Sequence, residues 1–247
     1  MLKAGLQTED TFRIKDFDDV YQMIGRVARK TQVDSLGFVT VFDRIAQEKG
    51  LNSAEDLKIY FFSDTYQFYW TVTPEEFFKK FEKDYNEFWT EERKAKEQKL
   101  GLTREQIYAL ASIVQKESYQ VQERPTIAGV YLNRLKDNML LQADPTVIYA
   151  IKETTGKYDT IIKRVYIKDL ATVSPYNTYL YKGLPPAPIC MPDISSVDAV
   201  LSPEKHEYIY FVADTARLGY HKFARTLEEH NKNRQAYRKW LNNKGIE

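Results

Sequence analysis

The sequence predicts an α+β chain in which a small α+β unit precedes a larger, mainly helical unit with a small β-sheet. Three observations predict it. Helix-start signals recur along the chain, each a Ser/Thr cap or a proline ahead of an apolar stripe at helical spacing. Strand character gathers in two short aromatic and β-branched stretches, near residues 59–70 and 208–223. The content of 43% hydrophobic and 14% aromatic residues in a chain of 247 suffices for packed cores.

After an extended segment near Thr11 to Ile14, Val20, Met23, Ile24, Val27 and Ala28 make one amphipathic helix, and Leu36, Val39, Phe42 and Ile45 make a second. Gly50 supplies the left-handed residue that ends it. Ile59-Tyr60-Phe61-Phe62 and Thr65-Tyr66-Gln67-Phe68-Tyr69-Trp70 read as strands divided by Ser63-Asp64. Thr73-Pro74-Glu75-Glu76 combines an N-cap, a proline at the first helical position and a Glu at N3, ahead of Phe77, Phe81, Tyr85 and Phe88 on one face. Glu91 to Lys99 is expected to prolong this helix as a solvated surface, and Gly101 then lets the chain turn. A boundary near Gly101 divides the chain into residues 1–100 and 101–247.

Thr103 with Gln106 forms the next capping box, and Ile107, Leu110, Ala111 and Val114 follow at helical spacing. Glu117 continues that stripe. A carboxyl held on the apolar side loses hydration, which disfavours its charged form and suits a general acid; the alternative is a solvated Glu in a fraying last turn. Pro125 opens a helix through Ile127, Val130, Tyr131 and Leu135, and Asp144-Pro145 opens another through Val147, Ile148 and Ile151, with Asp144 as its expected N-cap. From Ser174 to Asp193 five prolines exclude helix and stiffen a long loop that also carries Tyr176, Tyr179 and Tyr181. Tyr208 to Val212 reads as a buried strand, Tyr220 to Phe223 as a strand beside it, and Thr226 to Glu229 as a capping box opening a last helix through Trp240.

Composition narrows the function. With 36 basic against 35 acidic side chains, a formal charge of +1 gives no electrostatic case for nucleic acid. The single Cys190 permits no internal disulfide, and no apolar run is long enough for a signal peptide or membrane span. His206, His221 and His230 show no zinc spacing, and neither a Gly-rich phosphate loop nor a Gly-x-Ser-x-Gly elbow is present, so no metal or cofactor is expected. What remains is carboxylate chemistry among amide, hydroxyl and aromatic side chains.

Several blocks then carry a resemblance: Leu110 to Val114 with Lys116-Glu117, Glu123-Arg124-Pro125, Ile127 to Leu135, Leu141 to Val147, Ser174 to Tyr179, Gly183 to Pro186, Tyr210 to Ala213 and Glu229-His230-Asn231. In this order they resemble the YceG-like family, the endolytic murein transglycosylases also called MltG. The resemblance is dense from Leu110 to Asn231 and weaker before, mainly at Asp64 to Tyr66 and Phe68. It implies a LysM-like first module and a catalytic domain partly like lysozyme-type transglycosylases. It also implies a substrate, peptidoglycan glycan strands, with Glu117 as the catalytic acid. Gln115, Ala187 and the Cys190-Met191-Pro192-Asp193 ending depart from the family's usual Glu, Gly and Asn-Pro-Gly-like residues. The first departure points to Glu117 rather than position 115 as the essential acid.

The implied reaction breaks the bond between N-acetylmuramic acid and N-acetylglucosamine without water and leaves a 1,6-anhydromuramoyl end. Tyr176, Asn177 and Tyr179 on the proline loop, with Gln142, Asp144 and His221, have the residue types a glycan cleft needs. Asp144 also reads as a cap, His221 as a core histidine, and Glu123 as a partner for Arg124 or Arg134. The rival readings are a non-catalytic peptidoglycan-binding scaffold and a hydrolytic muramidase. The resemblance further implies cell-wall synthases as partners. It also implies a membrane anchor upstream of Met1, a short basic end and then roughly 20 apolar residues, with the catalytic domain on the extracytoplasmic side.

Overall fold

The computed structural model describes residues 9–14 and 17–244. Strand β1 (Asp10–Arg13) pairs antiparallel with β2 (Thr65–Phe68), from Asp10 opposite Phe68 to Arg13 opposite Thr65. Between them lie α1 (Val20–Val27) and α2 (Ser35–Glu48), capped by the Asp19 and Asp34 carboxylates. Gly50, at φ 73°, turns the chain after α2. Helix α3 (Pro74–Phe88) starts on the predicted Thr73/Glu76 box and buries Phe77, Phe78, Phe81, Tyr85 and Phe88.

Residues Ile59 to Phe62 do not form a strand. Ser53 and Asp56 cap a 3₁₀ turn over Ala54–Tyr60, so local capping outweighs the β-propensity of the apolar run, and only Thr65–Phe68 enters a ladder. Nor does the charged tract prolong α3. The chain breaks at Trp89, and Thr90 caps a separate helix, α4 (Glu91–Leu100), none of whose residues is buried. Gly101, at φ 68°, then turns the chain into α5 (Arg104–Glu117), capped by Thr103 and Gln106 as expected.

Helix α5 is the axis of the second half. Every residue from Ile107 to Gln115 is buried, because α6 (Arg124–Lys136), α7 (Asp144–Thr155) and α8 (Ile194–Leu201) pack around it. Helix α8 lies beyond the predicted elements: it is short, follows the proline run directly, and is capped by Asp193. Strands β3 (Tyr210–Ala213) and β4 (His221–Ala224) pair antiparallel, with Ala213 opposite His221. They are half-buried rather than buried, and α9 (Leu227–Lys244) lies against them. Thr226 Oγ1 accepts from Glu229 N, as the predicted cap requires, while the Glu229 carboxylate accepts from the Arg225 amide, one residue before its expected partner.

The chain is thus α+β and mainly helical, with two small two-stranded sheets among the described residues. Two apolar cores fill it. One gathers Phe12, Phe38, Phe42, Phe61, Phe77 and Phe81, and the other surrounds α5 with Tyr108, Leu110, Ile113, Tyr131 and Val197. The seam between them runs through α3, since Phe81 lies in the first core and Tyr85 and Phe88 in the second. No described helix is long and apolar enough to cross a membrane.

Candidate active site around Glu117

Glu117 is the last residue of α5, where the backbone leaves the helix at an extended Ser118. Tyr131, from the middle of α6 and 1% exposed, donates its hydroxyl proton to Glu117 Oε1 at 2.6 Å. Burial pushes the Glu117 carboxyl up to about 7. The Tyr131 bond and the neighbouring His221 and Arg134 pull the other way, while Asp144 adds to the rise. The negative end of the α5 dipole acts in the same direction as burial. The carboxyl therefore holds a proton near neutral pH, yet the residue is only half-buried, so a substrate oxygen can reach it.

The groups around the acid are fixed by long-range bonds. Arg134, also on α6, spends its guanidinium on the carbonyls of Ile209 at 2.6 Å and Leu141 at 2.7 Å. This ties β3 and the loop before α7 to the acid's helix pair. Gly129 lets α6 approach the 204–206 segment: a Cβ there would stand 2.6 Å from the Glu204 carbonyl. Beyond Ser118, Arg124 donates to the Ser118 carbonyl at 3.1 Å and to both Asp193 oxygens at 2.8 and 2.7 Å. Burial works to raise the Asp193 carboxyl, and the Arg124 guanidinium outweighs it and holds the group below the usual range.

Asp144 is not the N-cap of α7. The cap is Ala143, and Asp144 is the first helical residue, with its exposed carboxylate accepting the Tyr179 hydroxyl at 2.7 Å. Burial and this bond hold the Tyr179 hydroxyl well above its ordinary range. Gln142 is exposed and adopts φ 50°, a left-handed conformation uncommon outside glycine, while its backbone N–H donates to the Thr178 carbonyl at 3.1 Å. Gln142, Asp144 and Tyr179 thus form one edge, and Asp144 and Tyr179 both lie within the electrostatic reach of the acid or of Tyr131.

Two of the loop residues expected in a glycan cleft are turned elsewhere. Asn177 is fully buried: its Nδ2 donates to the Leu170 and Thr172 carbonyls and its Oδ1 accepts from Tyr179 N, which leaves the amide no group for a sugar. Tyr176 packs its ring on Tyr149, 4.6 Å between centroids, and joins the core rather than the Asp144 edge. Of the three, Tyr179 alone reaches a group beside the acid. His221 lies on β4 and is clamped by Glu123, whose carboxylate also holds the His221 amide. The expected pairing of Glu123 with an arginine is replaced by this contact.

Sequence reading missed several groups that hold the site. Thr146 and Thr178 share a buried hydroxyl bond at 2.8 Å, and Thr178 Oγ1 accepts from Ala143 N, which locks the start of α7 to the proline loop. Gln115 accepts from Asp193 N at 2.6 Å and Ser112 from Ile189 N at 2.9 Å, so polar positions of α5 anchor the end of that loop. Lys58, 1% exposed, pairs with Glu55 and donates to the Pro188 carbonyl at 3.1 Å, tying the first half of the chain to the loop. Buried hydroxyls and a mid-turn lysine carry no periodic signal. Among the described residues no group of His, Cys, Asp or Glu is arranged to hold a metal ion.

The model of the YceG-like family matches residues 1–236. The chain belongs to the YceG-like family. An endolytic murein transglycosylase of Bacillus subtilis is 38% identical over 187 residues, covering 75% of this chain and 49% of its own length. One from Streptococcus pneumoniae is 34% identical over 133 residues, covering 54% of this chain and 24% of its own. The chain therefore spans about half the Bacillus relative and less of the streptococcal one. Its fold matches the crystal structure of a yceG-like protein from Listeria monocytogenes, with a TM-score of 0.71 and 31% identity over 90% of this chain and 75% of that one.

Proposed function

We propose that this YceG-like chain is the acid-bearing part of an endolytic peptidoglycan transglycosylase, with Glu117 as its catalytic residue. The observation that carries the reading is a carboxyl raised to about 7 by burial and held on the Tyr131 hydroxyl in a family whose relatives bear that name. Protonated Glu117 gives its proton to the glycosidic oxygen between N-acetylmuramic acid and N-acetylglucosamine, and the bond from C1 to that oxygen breaks as oxocarbenium character develops. The muramoyl 6-hydroxyl oxygen then bonds C1, and its proton returns to the Glu117 carboxylate. The strand gains a 1,6-anhydro end, and the acid is regenerated without water. Asp144 and Tyr179, with Gln142 beside them, supply hydrogen-bonding groups for the sugars on one side of the acid.

In this reading residues 101–247 are the catalytic, lysozyme-like domain, and residues 1–100 are a LysM-like module with its own aromatic core. The substrate lies outside the cytoplasmic membrane, so the domain works on that side, tethered by an anchor upstream and near the synthases that make the strands. The test is mass analysis of glycan strands digested by the chain and by Glu117→Gln. The expected products are anhydro-ended fragments from the unaltered chain and none from the variant. Reducing ends from the unaltered chain identify a hydrolytic muramidase, and binding without any cleavage identifies a scaffold.

A further inference from the structure

Glu123 and His221 form a buried pair that the proposed proton transfer does not use. The Glu123 carboxylate, 7% exposed, accepts from His221 N at 2.7 Å and stands 2.9 Å from His221 Nδ1. It also accepts the hydroxyl of Ser118, the residue directly after the acid, at 3.3 Å. Because the facing carboxylate oxygen can only accept, Nδ1 carries a proton, and the pairing fixes Nε2 on the other side of the ring, away from Glu123. The His221 side chain is 16% exposed, and Nε2 bonds no other group among the described residues.

The ring stands beside the acid. Phe211 packs edge-on against His221 at 5.1 Å and against Tyr131 at 5.9 Å, and Tyr131 holds Glu117. Glu117 in turn feels the charge of His221. Phe211 and Tyr131 thus link His221 to the acid, and a carboxylate fixes which way the His221 ring is turned.

We infer that His221, oriented by Glu123, donates a hydrogen bond from Nε2 to the oxygen of the attacking 6-hydroxyl, whose own proton stays free to pass to Glu117, and thereby decides whether that hydroxyl or a water molecule closes the reaction. This rests on the glycan-cleaving reading above. After the C1–oxygen bond breaks, either the 6-hydroxyl oxygen or a water oxygen can bond C1, in both cases returning a proton to Glu117. The first gives an anhydro end and the second a reducing end heavier by one water. Holding the 6-hydroxyl in an attacking pose favours the internal path through its effective concentration, and an unheld hydroxyl concedes the step to solvent. Glu123 is a positioning residue in this scheme, and His221 a specificity-determining one.

Two isosteric substitutions separate this from a structural role. In His221→Asn the amide nitrogen falls near the place of Nδ1, so Glu123 keeps its donor while nothing stands where Nε2 was. In His221→Gln a polar group is restored near Nε2. On peptidoglycan strands, His221→Asn should raise the ratio of reducing to anhydro ends about tenfold, the worth of one hydrogen bond, with an unchanged melting temperature. His221→Gln should return the ratio towards that of the unaltered chain. An unchanged ratio in His221→Asn overturns the inference, whether its rate or its melting temperature falls or not. If the unaltered chain forms no anhydro ends at all, the transglycosylase reading fails and this inference with it, so the two failures are told apart by the unaltered chain.

Discussion

The two halves of the molecule are held together on different terms. Before residue 89 the interior is aromatic: Phe38, Phe42, Phe61, Phe77 and Phe81 pack on one another, and Asp19 and Lys58 are the buried polar residues described there. Between Ser112 and Ser196 eleven polar residues are buried, among them Gln115, Glu123, Arg124, Arg134, Thr146 and Thr178. Those named each have hydrogen-bond partners on other elements. An aromatic core tolerates small shifts of its parts, since dispersion is non-directional. A hydrogen-bonded network fixes positions, because an unmet buried partner costs more than the bond returns. The acid sits at the edge of the second kind of interior, held by the Tyr131 hydroxyl.

If that contrast is right, deletions in the two halves should fail differently, and the largest loss of stability should come from the aromatic side. Phe42→Ala removes a fully buried ring packed on Phe38, Phe61, Phe77 and Phe78 and should cost about 4 kcal/mol in denaturant unfolding. Folded protein should retain the product pattern of the unaltered chain. Arg124→Met breaks the other side. It strands Asp193 and frees the Ser118 carbonyl, so about 3 kcal/mol should be lost together with cleavage by the protein that remains folded, although Arg124 touches no substrate. Full cleavage by folded Arg124→Met would break the comparison.

The polar half was also the harder one to read from sequence, for the same reason. Caps are local, so Thr73 with Glu76 and Thr103 with Gln106 were legible within four residues, and the phenylalanine stripe of α3 follows from helical period alone. The apolar run at Ile59 to Phe62 reads as strand and is not one, because a short run fits a buried turn as well as a strand. Glu117 could be found because it extends an apolar stripe. Its partners could not be found that way, since Tyr131 reads as core and Glu123 meets His221 across 98 positions of chain. Asn177 was misplaced because an amide's residue type does not tell whether the backbone has already claimed it.

A smaller effect sharpens the comparison through pH. Glu117 has a folded value of about 7 against an ordinary 4.5, so the folded state binds its proton more tightly than the unfolded chain does. Its contribution to stability is fully present below 4.5 and is lost as pH rises through 7, a difference of about 3 kcal/mol. Unfolding of the unaltered chain at pH 5 and pH 8 should show that loss, and Glu117→Gln should lack it. The smallest change is expected from Tyr131→Phe. Removing a bond that favours the ionised carboxylate should carry the alkaline limb of the cleavage profile upward by about one pH unit, with little change in stability.

The central claim is that the fold keeps Glu117 protonated near neutral pH. A carbon-13 titration of its side-chain carboxyl tests this directly, with Glu117→Gln used to assign the resonance. A midpoint of about 7 is the predicted result. A midpoint at the ordinary value of 4.5 would make Glu117 a solvated carboxylate and contradict the account.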